Sequence, residues 1–251
     1  MSKVFDAYAA YYDLLYRDKD YVGETTYVHG LIQRYSPGAR EVLELGCGTG
    51  GHALELTKLG YLITGVDLSK AMIVWARKRA ERLPDAGLQF LNGDLREFRV
   101  NWKFDAVLAL FHVMSYQTTN ADISAAMATA AAHLAPGGAF IFDCWFGPGV
   151  LSDPPVTRMK RLEGDGVRIT RIAEPIMHPN ENRVDVSYEV FVEGPVGLEK
   201  IQETHPMRYL FTPEVDWLLD ANGLHRVAVE EWLTGAVPGL MSWNVCFVAK
   251  R

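Results

Sequence analysis

The sequence predicts a doubly wound α/β sheet interrupted by an inserted antiparallel β-meander. Three features carry that expectation. From about residue 41 to residue 144, short apolar runs alternate with helical patterns. The first of these runs leads directly into a glycine-rich turn. Beyond Cys144 the texture changes to segments rich in β-branched residues, separated by turn signals, before a last helix and two last strands.

The apolar runs are 41–45, 62–66, 88–91, 106–110 and 139–143. Their near-continuous apolar character suits strands covered on both faces, as in a parallel sheet. Residues 70–82 carry Met72, Trp75, Ala76 and Arg79 at helical spacing, with Ser69 as N-cap. Residues 122–134 carry Ile123, Ala126, Met127, Ala130 and Leu134 on one face, and Pro136-Gly137-Gly138 stops that helix. Strand and helix repeated in this order require right-handed crossovers. After Pro154-Pro155, the segments 156–162, 167–177, 183–192 and 198–210 read as four hairpin-connected strands, with turns at 164–166, 178–182 and 193–197. Val184, Val186, Tyr188, Val190 and Val192 give one of them an apolar face that must pack on something. Thr212-Pro213-Glu214 opens a helix through residue 219, with Thr212 as N-cap and Pro213 at N1, and Gly223 ends it. Strands near 224–232 and 245–250 complete the chain, so the meander is inserted in the α/β unit. The expected division is 1–150 for an N-terminal helix and α/β core, 151–211 for the β insertion and 212–251 for the elements that complete the core sheet.

Composition narrows the function. Of 251 residues, 49% are hydrophobic and 22% charged, which excludes a disordered chain or a fibre. The net charge of −6 argues against a general cationic field for nucleic acid. Cys47, Cys144 and Cys246 are too few and too far apart for a disulfide framework or a four-ligand zinc site, and read as reduced thiols of a cytoplasmic protein. No HxxH, HExxH or Cys/His cluster points to a metal, and no serine nucleophile elbow points to hydrolysis. No run has the length of a signal peptide or membrane span.

The chemistry concentrates at strand ends. Residues 42–51, VLELGCGTGG, run from a strand through a glycine turn toward a helix. Such a turn brings backbone N–H groups and a helix N-terminus close to a carboxylate or phosphate. Gly46, Gly48 and Gly51 also satisfy the GxGxxG dinucleotide fingerprint. Asp67 ends the second strand, where a carboxylate can accept both hydroxyls of a ribose, and Asp94 ends the third.

These elements together resemble the class I S-adenosylmethionine-dependent methyltransferases. The matching residues are Glu44 to Gly50, Gly65-Val66-Asp67-Leu68-Ser69, Gly93-Asp94-Leu95, Phe104-Asp105-Ala106-Val107 and Leu134-Ala135-Pro136-Gly137-Gly138, spread in the family's order over about 31–144. The resemblance implies a Rossmann-like, seven-stranded methyltransferase sheet with S-adenosyl-L-methionine as cofactor. It implies that Glu44, Gly46, Cys47 and Gly48 hold the amino-acid part, Asp67 the ribose, Leu68 and Leu95 the adenine faces and Asp94 the adenine amino group. Leu110, at the end of the fourth strand, joins this set. The N-terminal YYDLLYRDKDY is similar to the lid of small-molecule methyltransferases, including those acting on amino groups of nucleotide-linked sugars. By that likeness Tyr12 and Lys19 close over the methionine end and Tyr8 faces the substrate.

The residues after the fourth strand, Phe111 to Gln117, lack the Pro-Pro-Tyr/Phe element that resembles nucleobase and glutamine methyltransferases. His112 is the candidate base, Tyr116 and Gln117 are polar contacts, and Trp145 with Phe146 walls the acceptor pocket. His178 and His205 read as a turn residue and a strand residue. The expected reaction is methyl transfer to an amino or hydroxyl group of a small polar metabolite, such as a nucleotide-linked sugar. A methyltransferase of nucleic acid or protein, and a dinucleotide-dependent oxidoreductase, are the alternatives. The expected partners are a small-molecule acceptor and a second copy of the chain, with no membrane; the meander's apolar face or free edge invites the homodimer.

Overall fold

The computed structural model describes Tyr12 and residues 14–83, 87–164, 166–195 and 197–251. Phe5, Tyr8 and Tyr11 lie outside the described residues. Helix α1 (Tyr21–Tyr35) starts where the Asp20 carboxylate accepts the Gly23 N–H at 2.8 Å. Then follow β1 (Glu41–Leu45), α2 (Gly51–Lys58), β2 (Leu62–Asp67), α3 (Lys70–Ala80), β3 (Leu88–Asn92), β4 (Phe104–Ala109), α4 (Asn120–His133) and β5 (Leu134–Phe146). A short α5 (Gly147–Ser152) leads to the meander: β6 (Arg158–Gly164), β7 (Val167–His178), β8 (Arg183–Gly194) and β9 (Gly197–Leu210). Helix α6 (Thr212–Ala221), β10 (His225–Glu231) and β11 (Asn244–Lys250) close the fold.

Strands β3, β2, β1, β4 and β5 pair in parallel in that order, and β11 then β10 add antiparallel beyond β5. These are the seven strands of the expected sheet. Its two faces carry separate cores. On one, Phe140, Phe142 and Phe247 pack beneath Ile123 and Met127 of α4 and Val215 and Leu219 of α6. On the other, Val42, Ile63 and Leu108 pack beneath Leu31 of α1, Leu56 of α2 and Ile73 of α3. Continuous apolar sequence in the parallel strands follows from this double covering.

Where β4 stops pairing, at Ala109 opposite Phe142, β5 continues. Its residues Trp145 and Phe146 pair in parallel with Tyr209 and Leu210 of β9. That junction joins the antiparallel meander to the sheet as one eleven-stranded surface. It also sets the meander beyond the carboxyl ends of β1, β2 and β4. The alternation along β8 has the expected result: Val184, Val186, Val190 and Val192 are buried. They cluster with Tyr12, Met72 and Phe111 at one end and with Tyr116, Trp145 and Trp243 at the other.

Two local expectations shift. Ser69 does cap α3, accepting the Met72 N–H at 3.3 Å. In contrast, α6 is capped by Phe211 and not by Thr212, because the Glu214 carboxylate reaches back to the Phe211 N–H. Thr212 is thereby the first helical residue. Strand β5 begins at Leu134, so Pro136-Gly137-Gly138 lies within an irregular strand start, where the register with β4 slips between Phe104 and Ala106.

Candidate active site

The glycine turn is held by its own backbone. The N–H groups of Gly46 and Cys47 both donate to the Val66 carbonyl of β2, at 2.7 and 3.0 Å. Gly46 has φ 71°, and a Cβ there would come within 2.5 Å of Val113 Cγ2. Gly48 is also left-handed, at φ 54°, but a Cβ on it would meet nothing within 4 Å. One glycine admits the neighbouring loop, and the other leaves a face open at the strand ends. Cys47 is buried, and burial followed by the Asp67 and Glu44 charges pushes its thiol well above its ordinary pKa. It is therefore a packed thiol.

Asp67 ties this turn to the start of α3. Its Oδ2 accepts the Gly48 N–H and its Oδ1 the Ser69 N–H, each at 2.8 Å. Each oxygen keeps a lone pair for a further donor. Burial raises the Asp67 carboxyl above its ordinary value, although the two N–H groups pull it back. Beside it Leu68 is 61% exposed, an apolar side chain at the rim of a polar strand end. The Asn92 amide donates to the carbonyls of Asp67 and Leu68, both at 2.9 Å, and fixes β2 against β3 there.

Glu44 is 1% exposed. Its Oε1 stands 3.6 Å from His52 Nδ1, whereas its Oε2 is buried with no hydrogen-bond partner among the described residues. His52 Nε2 is 2.7 Å from Glu24 Oε2, and the other Glu24 oxygen takes the Lys19 ammonium. The Lys19 Nζ also lies 3.9 Å from the centre of the Phe111 ring. Lys19 therefore reaches the neighbourhood of Glu44 through a buried chain, Lys19–Glu24–His52–Glu44.

That chain has a pH signature. Burial opposes a charge on His52, yet the hydrogen bonds to Glu24 and Glu44 outweigh it and raise its pKa above 6.5. Burial likewise opposes the Glu24 charge, but His52 and Lys19 hold its pKa below 4.5. A raised histidine contributes stability that is present below the unfolded value of 6.5 and lost as pH rises through the folded value. A lowered glutamate contributes stability above 4.5 that is lost as pH falls through the folded value. Melting temperature is thus expected to decline on the alkaline side of 6.5, and His52→Gln is expected to flatten that limb. Equal slopes in the two proteins would contradict the buried-pair account.

Asp94 is gripped by Arg96, with Nε 2.9 and 3.1 Å from the two carboxylate oxygens. The Arg96 hydrogen bonds hold the Asp94 carboxyl below its ordinary pKa. Arg96 also reaches Asp122 of α4 at 2.8 Å, which braces this loop. Leu95 packs partly buried on the core. Leu110 is buried on the opposite face.

After Leu110 the backbone turns sharply. Phe111 and His112 are both left-handed, at φ 62° and 64°. Consecutive non-glycine residues in that region cost about 1–2 kcal/mol each and mark a site held by its surroundings. The restraint is Asp143 near the end of β5, which is fully buried. Its Oδ2 accepts the His112 N–H at 3.0 Å and stands 2.7 Å from His112 Nδ1. The Asp143 Oδ1 is buried without a hydrogen-bond partner among the described residues. Trp145 packs 6.3 Å from the His112 ring, centre to centre. A 3-10 turn, Val113–Tyr116, starts from His112. The Gln117 amide donates to the Val113 carbonyl at 3.2 Å and is buried.

The structure therefore brings Glu44, Gly46, Gly48, Asp67, Leu68 and Asp94 to one edge of the sheet, with His112, Tyr116 and Trp145 beyond it. Tyr12 is buried against the meander, 4.7 Å from the Tyr16 ring, and Tyr16 meets Phe111 at 5.3 Å. Sequence reasoning missed Asp143, His52 and Glu24. Asp143 carried the signal used for Asp67, a carboxylate at a strand end. His205, read as a strand residue, is 3% exposed and lies 2.9 Å from the Tyr116 hydroxyl. His178 lies 3.1 Å from Asp185 near the meander's second turn.

A parallel sheet whose first strand feeds a glycine turn and whose second ends in a buried carboxylate has the architecture of a nucleoside-cofactor enzyme. Residues 42–138 match the family model described as "Methyltransferase domain". The chain belongs to the S-adenosylmethionine-dependent methyltransferases. It is 34% identical to the dTDP-3-amino-3,4,6-trideoxy-alpha-D-glucopyranose N,N-dimethyltransferase of Streptomyces venezuelae, over 92% of this chain and 94% of that protein. It is 32% identical to the dTDP-3-amino-3,6-dideoxy-alpha-D-glucopyranose N,N-dimethyltransferase of Streptomyces fradiae, over 82% and 78%. Among solved structures it superposes with a TM-score of 0.76, at 27% identity and over 100% and 99% of the chains, on an S-adenosylmethionine-bound amino pentose methyltransferase from Micromonospora echinaspora. The protein is thus an S-adenosylmethionine-dependent methyltransferase, and no helix among its described residues is long and apolar enough to cross a membrane.

Proposed function

We propose that this enzyme methylates the amino group of a nucleotide-linked amino sugar, and that the strand ends described above hold its cofactor. The observation that carries the cofactor assignment is the buried Glu44 Oε2, without a hydrogen-bond partner among the described residues, and the open face of Gly48 in the following turn agrees with it. A buried carboxylate oxygen without a donor suits the α-ammonium of a methionine moiety, and the N-terminus of α2 suits its carboxylate. Asp67 has lone pairs for two ribose hydroxyls, Leu68 and Leu95 cover the adenine, and Asp94 accepts from its amino group. Tyr12 and Lys19 close the methionine end. S-adenosylmethionine supplies an electrophilic methyl group on a sulfonium centre.

The chain's own contribution is alignment. Tyr116, Gln117 and Trp145 surround the acceptor, and the meander, taken as residues 151–211, roofs it. His112 presents the ring edge away from Asp143 to the acceptor nitrogen and holds it as a neutral amine. A neutral amine already owns the lone pair it needs, so its proton can leave after transfer, whereas a hydroxyl needs a base during transfer. The two Streptomyces relatives are N,N-dimethyltransferases of 3-amino sugars by name, which supports the amine.

His112→Ala is therefore expected to lower kcat/KM for an amino sugar roughly tenfold, chiefly through KM. A loss of roughly 10²–10⁴-fold in kcat, with loss of the ascending pH limb, would instead assign His112 as the base of a hydroxyl methylation. The assay is S-adenosylhomocysteine release across nucleotide-linked sugars bearing amino or hydroxyl groups at the same carbon. A cytoplasmic homodimer completes the proposal. Its support is the exposed apolar loop carrying Val237, Leu240 and Met241, and light scattering should return twice the monomer mass.

A further inference from the structure

The buried row Lys19–Glu24–His52–Glu44 draws on four parts of the chain. Lys19 precedes α1, Glu24 lies in the first turn of α1, His52 in the first turn of α2 and Glu44 in β1. None of the four side chains is more than 12% exposed. Stability alone does not account for such a row, because well-packed apolar side chains of the same volume commonly hold a fold as well as buried ion pairs do. His52 also stands where a cation is disfavoured, since the N-terminus of a helix carries a partial positive charge.

Two carboxylates hold a charge on the ring despite that position. Glu24 Oε2 lies 2.7 Å from Nε2, and Glu44 Oε1 lies 3.6 Å from Nδ1, an ion-pair distance. A carboxylate only accepts, so hydrogen on both ring nitrogens, an imidazolium, suits both neighbours. The charges then alternate along the row. The row is complete at one end and open at the other. Glu24 has a cation on each oxygen, Lys19 on Oε1 and His52 on Oε2. Glu44 has His52 beside Oε1, whereas its Oε2 is buried without a hydrogen-bond partner among the described residues. The next member of an alternating row is a cation.

We propose that His52, anchored by Glu24, is a positioning residue that holds Glu44 as a charged acceptor and leaves its Oε2 for the α-ammonium of the cofactor. Without the imidazolium, Glu44 would be a buried carboxylate facing no cation. Such a group neutralises itself by taking up a proton, and a protonated carboxyl offers an ammonium no charge. With the imidazolium in place, Oε1 is engaged and Oε2 stays bare. Glu24 does the same for His52, and Lys19 for Glu24, so that the row fixes its last member from a distance. His52 and Glu24 therefore act through Glu44. The consequence is selectivity for the methionine end, separate from the contacts that hold ribose and adenine. This inference rests on the assignment of Glu44 to the cofactor made above.

The test is calorimetry with two nucleosides that share the adenosine and the thioether. S-adenosylhomocysteine carries the α-ammonium, and methylthioadenosine lacks the whole amino-acid end. Glu44→Gln is expected to weaken S-adenosylhomocysteine roughly 10- to 100-fold, the worth of a hydrogen bond to a charged group, and to leave methylthioadenosine unchanged. His52→Gln keeps an amide near the Nε2 position for Glu24 but presents no cation to Glu44. It should weaken S-adenosylhomocysteine roughly tenfold and again spare methylthioadenosine. The double variant should lose no more than Glu44→Gln alone. Equal losses for the two nucleosides in His52→Gln, additive losses in the double variant, or unchanged S-adenosylhomocysteine binding in His52→Gln would each overturn the proposal. Nitrogen-15 NMR of the wild type decides where that variant fails to fold. At the pH where a free histidine is half-charged, both His52 nitrogens should carry hydrogen, and S-adenosylhomocysteine but not methylthioadenosine should shift them. A neutral ring, or the same shift with both nucleosides, would overturn the inference. Unchanged S-adenosylhomocysteine affinity in Glu44→Gln would instead overturn the cofactor assignment it rests on.

Discussion

Asp67→Ala is expected to weaken S-adenosylmethionine binding by about 1.5–3 kcal/mol, roughly 10- to 150-fold. Two losses combine. On the proposed ribose assignment, the cofactor loses a charged acceptor for its hydroxyls. The glycine turn loses the clamp that holds the Gly48 N–H, and α3 loses the one on the Ser69 N–H. Asp67→Asn should fall between, since an amide keeps one acceptor but turns an NH2 toward one of those backbone donors. Calorimetry on folded variants measures the effect, and unchanged affinity in Asp67→Ala would remove the ribose assignment.

The second large effect separates two glycines of the same turn. Gly48→Ala places its methyl in open space, so the protein without cofactor should lose only the left-handed strain, about 1–2 kcal/mol. In a chain of this size that is a fall of roughly 2–8 °C in melting temperature. On the proposed cofactor placement the methyl occupies the face meant for the methionine moiety, so cofactor affinity should fall further, by about 1–3 kcal/mol of overpacking. Gly46→Ala is expected to act the other way round. Its Cβ would sit 2.5 Å from Val113, so the fold itself is strained before any ligand arrives. Thermal melts paired with calorimetry distinguish the two. Equal destabilisation with equal affinity loss would contradict the assignment of the open face to the cofactor.

The parallel core was legible because each strand is covered on both sides and therefore apolar throughout, and because α3 announces its start with Ser69. The β8 face was legible for the complementary reason, a strict two-residue alternation. What escaped was tertiary. The parallel pairing of Trp145 and Phe146 with Tyr209 and Leu210 joins residues far apart in sequence and leaves no local mark. The Thr212 cap was displaced by Glu214 reaching one residue further back than the Thr-Pro-Glu pattern implies. At the site, Glu44 and Asp67 could be picked out from their strand ends, but the contacts from Glu44 to His52 and from His52 to Glu24 draw on two different helices. His205 was readable only as a polar residue on an apolar face, and its partner Tyr116 lies 89 positions away.

The central claim is methyl transfer to an amine of a nucleotide-linked sugar. Its most direct test incubates the purified protein with methyl-deuterated S-adenosylmethionine and a nucleoside diphosphate amino sugar, then locates the label by mass spectrometry and NMR. The expected result is labelled methyl on the sugar nitrogen with stoichiometric S-adenosylhomocysteine. Label on a sugar oxygen, or no release of S-adenosylhomocysteine with any such sugar while S-adenosylmethionine still binds, would contradict it.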